Sequence, residues 1–74
     1  MEYTNRIETN PAICHGKPVI KGTRIMVTNI LGMFEGGYNI DDVLADYPTL
    51  TREDVVAALQ FATELVNETR VIFA

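Results

Sequence analysis

Asn39-Ile40-Asp41-Asp42-Val43-Leu44-Ala45-Asp46-Tyr47-Pro48-Thr49-Leu50-Thr51-Arg52-Glu53-Asp54-Val55 spells out one short helix, a tight break and the beginning of a second helix. Asn39 can accept hydrogen bonds from the free amides of a helix that starts at the next residue, and Asp41 and Asp42 suit the positive end of its dipole. Ile40, Val43, Leu44 and Tyr47 then recur at helical spacing. Pro48-Thr49-Leu50 makes the turn, and Thr51 repeats the capping pattern with Glu53 and Asp54 in the first turn. Tyr38 with Val43, and Leu50 with Val55, stand at the two positions of a hydrophobic staple, which fixes the angle of entry into each helix. The layout is that of a helix-turn-helix, whose second helix in DNA readers places its N-terminal residues in the major groove. Thr51 and Arg52 are therefore candidate nucleic-acid contacts, while Glu53, Asp54 and Asp46 would repel phosphates there. Helix capping accounts for Thr51, Glu53 and Asp54 without any ligand, and it is the preferred reading of those three.

Working outward, Val27, Ile30, Leu31 and Phe34 follow the i, i+3, i+4, i+7 spacing of one buried stripe, which predicts a first helix over Val27–Glu35 stopped by Gly36-Gly37. Downstream of Thr51, the apolar set Val55, Val56, Ala58, Leu59, Phe61, Ala62, Leu65 and Val66 is wider than one stripe, so a second covering surface is expected, such as another subunit. Val71-Ile72-Phe73 is apolar for the end of a chain and is expected to dock on the dimer mate or a partner.

Before the helices, residues 1–24 read as an irregular, β-like arm with Ile7, Ile13, Val19 and Ile20 as apolar anchors and a turn at Asn10-Pro11. Its most specific part is Gly16-Lys17-Pro18-Val19-Ile20-Lys21-Gly22-Thr23-Arg24. Pro18 fixes its own φ, Gly16 and Gly22 allow bends closed to other residues, and Val19-Ile20 makes a short β segment between them. The expectation is a stiff, basic, exposed ribbon, with alternation placing Lys17, Val19 and Lys21 on one face. Lys17, Lys21 and Arg24 suit phosphate oxygens or a partner's acids. Edge protection by lysines is the plainer alternative, and pairing of the arm with its copy in a second chain unites the two. The Thr23 hydroxyl is placed to tie the bend at Gly22, and Arg24 has Asp46 or Glu35 as sober ion-pair alternatives to a phosphate.

Composition bounds the rest. Seventy-four residues make one domain, residues 1–74, with the arm over 1–24 and a helical bundle with its apolar tail over 25–74. A chain of this size buries only about 60% of its unfolded surface, so a homodimer would help it. Net charge is −4, divided unevenly: up to Arg24 four bases face two acids, giving +2, whereas Arg52 and Arg70 face eight acids afterwards, giving −6. An acidic pI near 4.7 argues against a generally basic nucleic-acid binder. No apolar run reaches the ~20 residues of a membrane span, and Met1-Glu2-Tyr3-Thr4-Asn5-Arg6 with a single cysteine gives no support for secretion; a cytoplasmic protein that does not bind membranes is expected.

The enzyme signals are weak. The Gly16–Thr23 stretch has five residues between its glycines and no lysine after Gly22, so it fails the phosphate-loop pattern. Cys14 and His15 would point to opposite sides of an extended chain, with no second His or Cys to orient them or complete a metal site. Asp41-Asp42 and Glu53-Asp54 lie in first turns of helices, where capping explains them. No catalytic residue, metal or cofactor is expected.

Three ordered motifs carry a resemblance: Gly16-Lys17-Pro18-Val19-Ile20-Lys21-Gly22-Thr23-Arg24-Ile25, then Glu35-Gly36-Gly37, then Val43-Leu44-Ala45-Asp46-Tyr47-Pro48-Thr49-Leu50-Thr51 with Asp54-Val55-Val56-Ala57-Ala58-Leu59. Together they resemble the domain-of-unknown-function 433 family from about Ile7 to Leu65, with His15 standing where members commonly carry glycine. The resemblance implies a mostly α fold, a short N-terminal β arm followed by a three-helix homeodomain-like helix-turn-helix bundle. It also implies a non-enzymatic, antitoxin-like module that binds a small ribonuclease toxin of the PIN-like class and its own operator DNA. The alternative is a pure protein-interaction or scaffold domain with no nucleic-acid role.

Overall fold

The computed structural model describes residues 5–68. Val71, Ile72 and Phe73, expected to dock on a partner, lie outside the described residues. The elements run β1 (Ile7–Glu8), a 3-10 turn (Cys14–Gly16), β2 (Val19–Ile20), α1 (Val27–Glu35), α2 (Ile40–Asp46) and α3 (Arg52–Glu68). The mostly α expectation holds, with a small antiparallel sheet ahead of three helices.

All three helices begin or end where the local chemistry dictates. Gly37 at φ +93° lets α1 turn off its axis, so that Tyr38 N–H donates to the Met33 carbonyl and Gly37 N–H to that of Phe34, both at 3.0 Å. Two residues later Asn39 Oδ1 accepts from Asp42 N–H, and Asp42 Oδ2 accepts from Asn39 N–H, each at 2.9 Å. Thr51 and Asp54 repeat this reciprocal cap on α3, at 3.3 Å through the Thr51 hydroxyl and 2.9 Å through the Asp54 carboxylate. Leu50 and Val55 are both buried, as a staple requires. Tyr38, expected to staple onto Val43, is instead 40% exposed.

The core gathers Ile20, Val27, Ile30, Val43, Leu50, Val55 and Ala58, so every element from β2 onward contributes to it. Here the expectation of an exposed ribbon holds for its cations Lys17, Lys21 and Arg24 and fails for its apolar pair. Val19 is fully buried and Ile20 is 2% exposed. Burying each such side chain is worth about 1.5–3 kcal/mol, more than a two-residue segment gains from display to solvent. Lys17 and Lys21, on either side of this pair, are exposed.

Edge protection fails for a related reason. β1 pairs with one side of β2, Ile7 opposite Ile20 and Glu8 opposite Val19. On the other side Val19 bridges Met26, Ile20 N–H donates to the Ile25 carbonyl at 2.9 Å, and Val27 N–H to that of Pro18 at 3.0 Å. In this two-stranded sheet β2 is thus hydrogen-bonded on its second side too, by the 25–27 segment, so little open edge is left there for lysines to guard.

Candidate binding surfaces

The cations sort into two groups. Arg6 Nη1 lies 3.0 Å from Asp54 Oδ1, with the two side chains 36% and 13% exposed, so this partly buried pair ties the N-terminal segment to the start of α3. Arg52 Nη1 lies 3.7 Å from Asp41 Oδ1, and both side chains are well exposed, a geometry worth little to stability. Lys17, Lys21 and Arg24 are exposed and form no ion pair among the described residues. The expected anchoring of Arg24 onto Asp46 or Glu35 is thus not formed. The Arg24 backbone is held instead, its carbonyl accepting from Cys14 Sγ at 3.7 Å.

Between β2 and the 25–26 segment the chain makes a tight hairpin. Thr23 N–H donates to the Ile20 carbonyl at 3.0 Å, and Gly22 sits at φ +80°, the value that the third residue of a type II turn requires. The Thr23 hydroxyl donates to the Ile20 carbonyl at 2.7 Å and accepts from Ile25 N–H at 3.0 Å, so it ties the bend as expected and is engaged there. Pro18 is half-buried at the root of the hairpin, and Gly16 at φ +83° closes the preceding turn.

That preceding turn corrects another expectation. Cys14 and His15 are not extended; their φ values are 50° and 57°, both in the left-handed region. Non-glycine residues pay a steric penalty there, because Cβ approaches the next carbonyl oxygen.

At the start of α3 the groups proposed to touch DNA differ: Thr51 is engaged in the cap, and Arg52 is held only loosely. Thr51 Oγ1 caps the helix, Asp54 holds both the cap and Arg6, and Arg52 leans on Asp41. Asp41, Asp42 and Asp46 are exposed along α2. Beside them lies an open depression of about 430 Å³ lined by Gly36, Gly37, Tyr38, Asp42, Ala45 and Asp46. The negative charge of Asp46 and a hydrogen bond to it hold the Tyr38 phenol above its ordinary pKa of 10.0, with smaller contributions from desolvation and Asp42.

Sequence reasoning missed two members of this arrangement, Arg6 as a clasp and Tyr38 as a partner of Asp46. Arg6 and Asp54 are separated by 48 positions, beyond any periodic signal. Tyr38 and Asp46 are brought together only by the turn that follows α1.

The family model described as "Protein of unknown function (DUF433)" matches residues 7–62. Among solved structures, the chain is similar to the crystal structure of a DUF433 member protein from Anabaena variabilis ATCC 29413, with a TM-score of 0.80 at 33% sequence identity. The match covers 86% of this chain and 63% of that one, so this chain spans less than two thirds of that relative's length. No curated protein matches it. With most of the chain under the family model and a family member sharing the fold, this protein belongs to the DUF433 family, whose function is unknown.

Proposed function

We propose that this chain is a non-enzymatic, antitoxin-like module that works in the cytoplasm as a homodimer and blocks a small ribonuclease of the PIN-like class. The observation that carries the reading is the exposed acidic side of α2. Asp41, Asp42 and Asp46 stand in solvent with one loose cationic neighbour, Arg52, among the described residues. A nuclease that must attract RNA phosphates presents a cationic surface, and an acidic face of this kind steers towards it and competes for the same ground. Exposed Leu65 at 55% and Val66 at 71%, near the end of α3, support the dimer.

The alternative, an interaction domain without a nucleic-acid role, is favoured over operator reading by α3, because the N-terminal groups of that helix are engaged or acidic. Co-expression with the product of the adjacent reading frame tests the main reading. The two proteins are expected to co-purify and growth to be restored, and Asp41→Lys with Asp46→Lys is expected to abolish both effects. Failure of the unaltered chain to co-purify or to relieve toxicity would overturn the proposal.

A further inference from the structure

We propose that the β2 hairpin, from Lys17 at its root to Lys21 and Arg24 about its tip, is a phosphodiester-binding element that grips duplex DNA by its backbone and reads no bases, leaving α3 out of the contact. This goes beyond the partner-blocking reading above and uses the opposite charge on the same chain. Four observations carry it. The three cations free of ion pairs among the described residues, Lys17, Lys21 and Arg24, all flank this one hairpin, whereas Arg6 and Arg52 are each paired with a carboxylate. Since β2 is paired on both sides, edge protection does not account for the lysines. The hairpin is also held in advance of any ligand: Val19 and Ile20 root it in the core, and Thr23 locks the bend with two hydrogen bonds. A prearranged tip loses little further entropy on binding, which makes a few charges more effective than they are on a loose arm. Finally, Gly22 is exposed, with nothing within 4 Å of where a Cβ would sit, so a phosphate backbone can approach the bend closely.

Backbone contact has a distinct signature. With three phosphates neutralised per chain, affinity for B-form DNA falls with a log-log salt slope of about −2.7, or about 40-fold between 50 and 200 mM salt. Fluorescence anisotropy of the full chain with a labelled 20-base-pair duplex of arbitrary sequence, and with a scrambled second duplex, measures this slope. The two duplexes are expected to bind equally. Single changes Lys17→Ala, Lys21→Ala and Arg24→Ala are each expected to reduce the slope by about 0.9, and the triple variant to abolish binding. Because these side chains are exposed, circular dichroism melts of the variants are expected to match the parent, which separates lost binding from lost folding. Arg52→Ala is expected to leave the slope unchanged. Absence of binding at 50 mM salt, loss on Arg52→Ala rather than on the hairpin changes, or strong preference for one duplex would overturn the proposal. So would binding by the triple variant with an unaltered slope. A particle that doubles in mass at low salt only when the three cations are present, without retaining DNA, would assign the hairpin to a second copy and overturn it as well. Co-purification with a nuclease does not depend on these residues, so failure of one proposal is distinguishable from failure of the other.

Discussion

Asp54 is the residue on which most local order converges, and its removal is the sharpest test of how this small fold is closed. One oxygen, Oδ2, accepts from Thr51 N–H at 2.9 Å, and the other, Oδ1, faces Arg6 Nη1 at 3.0 Å. Asp54→Ala breaks the reciprocal cap, worth about 1 kcal/mol, and the ion pair. At 13% and 36% side-chain exposure the pair is less screened than a surface pair, and about 1 kcal/mol is a fair magnitude after discounting for solvent at Arg6. The expected total is about 2 kcal/mol. A chain of this length has roughly 4–11 kcal/mol of stability, so the change is a substantial fraction of it. At roughly 4–8 °C per kcal/mol, the melting temperature should drop by about 8–16 °C. Thermal and urea melts of Arg6→Ala, Asp54→Ala, Thr51→Ala and their double combinations separate the ion pair from the hydroxyl half of the cap, because Thr51→Ala keeps the N–H that donates to Asp54 Oδ2 and removes only the Oγ1 that accepts from Asp54 N–H. Arg6 and Asp54 are expected to couple by about 0.5–1 kcal/mol, whereas Arg6 and the Thr51 hydroxyl, which accepts from the Asp54 amide and does not touch its carboxylate, are expected to add within about 0.3 kcal/mol. A coupling between Arg6 and Asp54 indistinguishable from zero would refute the claim that the pair clasps the N-terminal segment to α3.

Two further outcomes follow from the geometry. The Tyr38 phenol should titrate above 10.0 in ultraviolet absorbance against pH, and Asp46→Asn should move it back down. Since the folded value lies above the unfolded one, the associated stability is present below the unfolded pKa and is lost as pH rises through the folded pKa. His15→Gly relieves a left-handed residue at φ 57°. The steric gain of about 1–2 kcal/mol is partly offset by about 0.5–1 kcal/mol of glycine entropy, so a net gain of roughly 0.5 kcal/mol is expected in thermal melts. His15→Val should move the other way.

Much of the helical part was legible because its signals are local. The bounds of α1 follow from four apolar positions and two glycines, and the caps of α2 and α3 from side chains three residues apart. The β part was less legible, because its outcome depends on distant partners. Val19 and Ile20 read as a displayed ribbon when only their basic neighbours are weighed, yet the helices provide an apolar surface that draws them inward. Nor does a sequence window reveal that 25–26 returns to cover the second side of β2. Cys14 and His15 misled for a different reason: positive φ is uncommon outside glycine, and the turn they adopt is closed by Gly16 N–H and Lys17 N–H onto the Ile13 and Cys14 carbonyls, bonds that residue type does not announce. At the candidate surfaces, residue types pointed to the cations, but only coordinates separate those already paired from Lys17, Lys21 and Arg24.

The clasp between Arg6 and Asp54 also sets a timetable. A ribosome releases the N-terminal segment long before the carboxylate that secures it, 48 positions later, has been made. Until then Ile7 and the buried strand beside it lack the helix they rest on, and the nascent chain remains open to proteases and to neighbouring copies. A chain that stops before α3 is therefore expected to leave Arg6 without its carboxylate and the core without Val55 and Ala58.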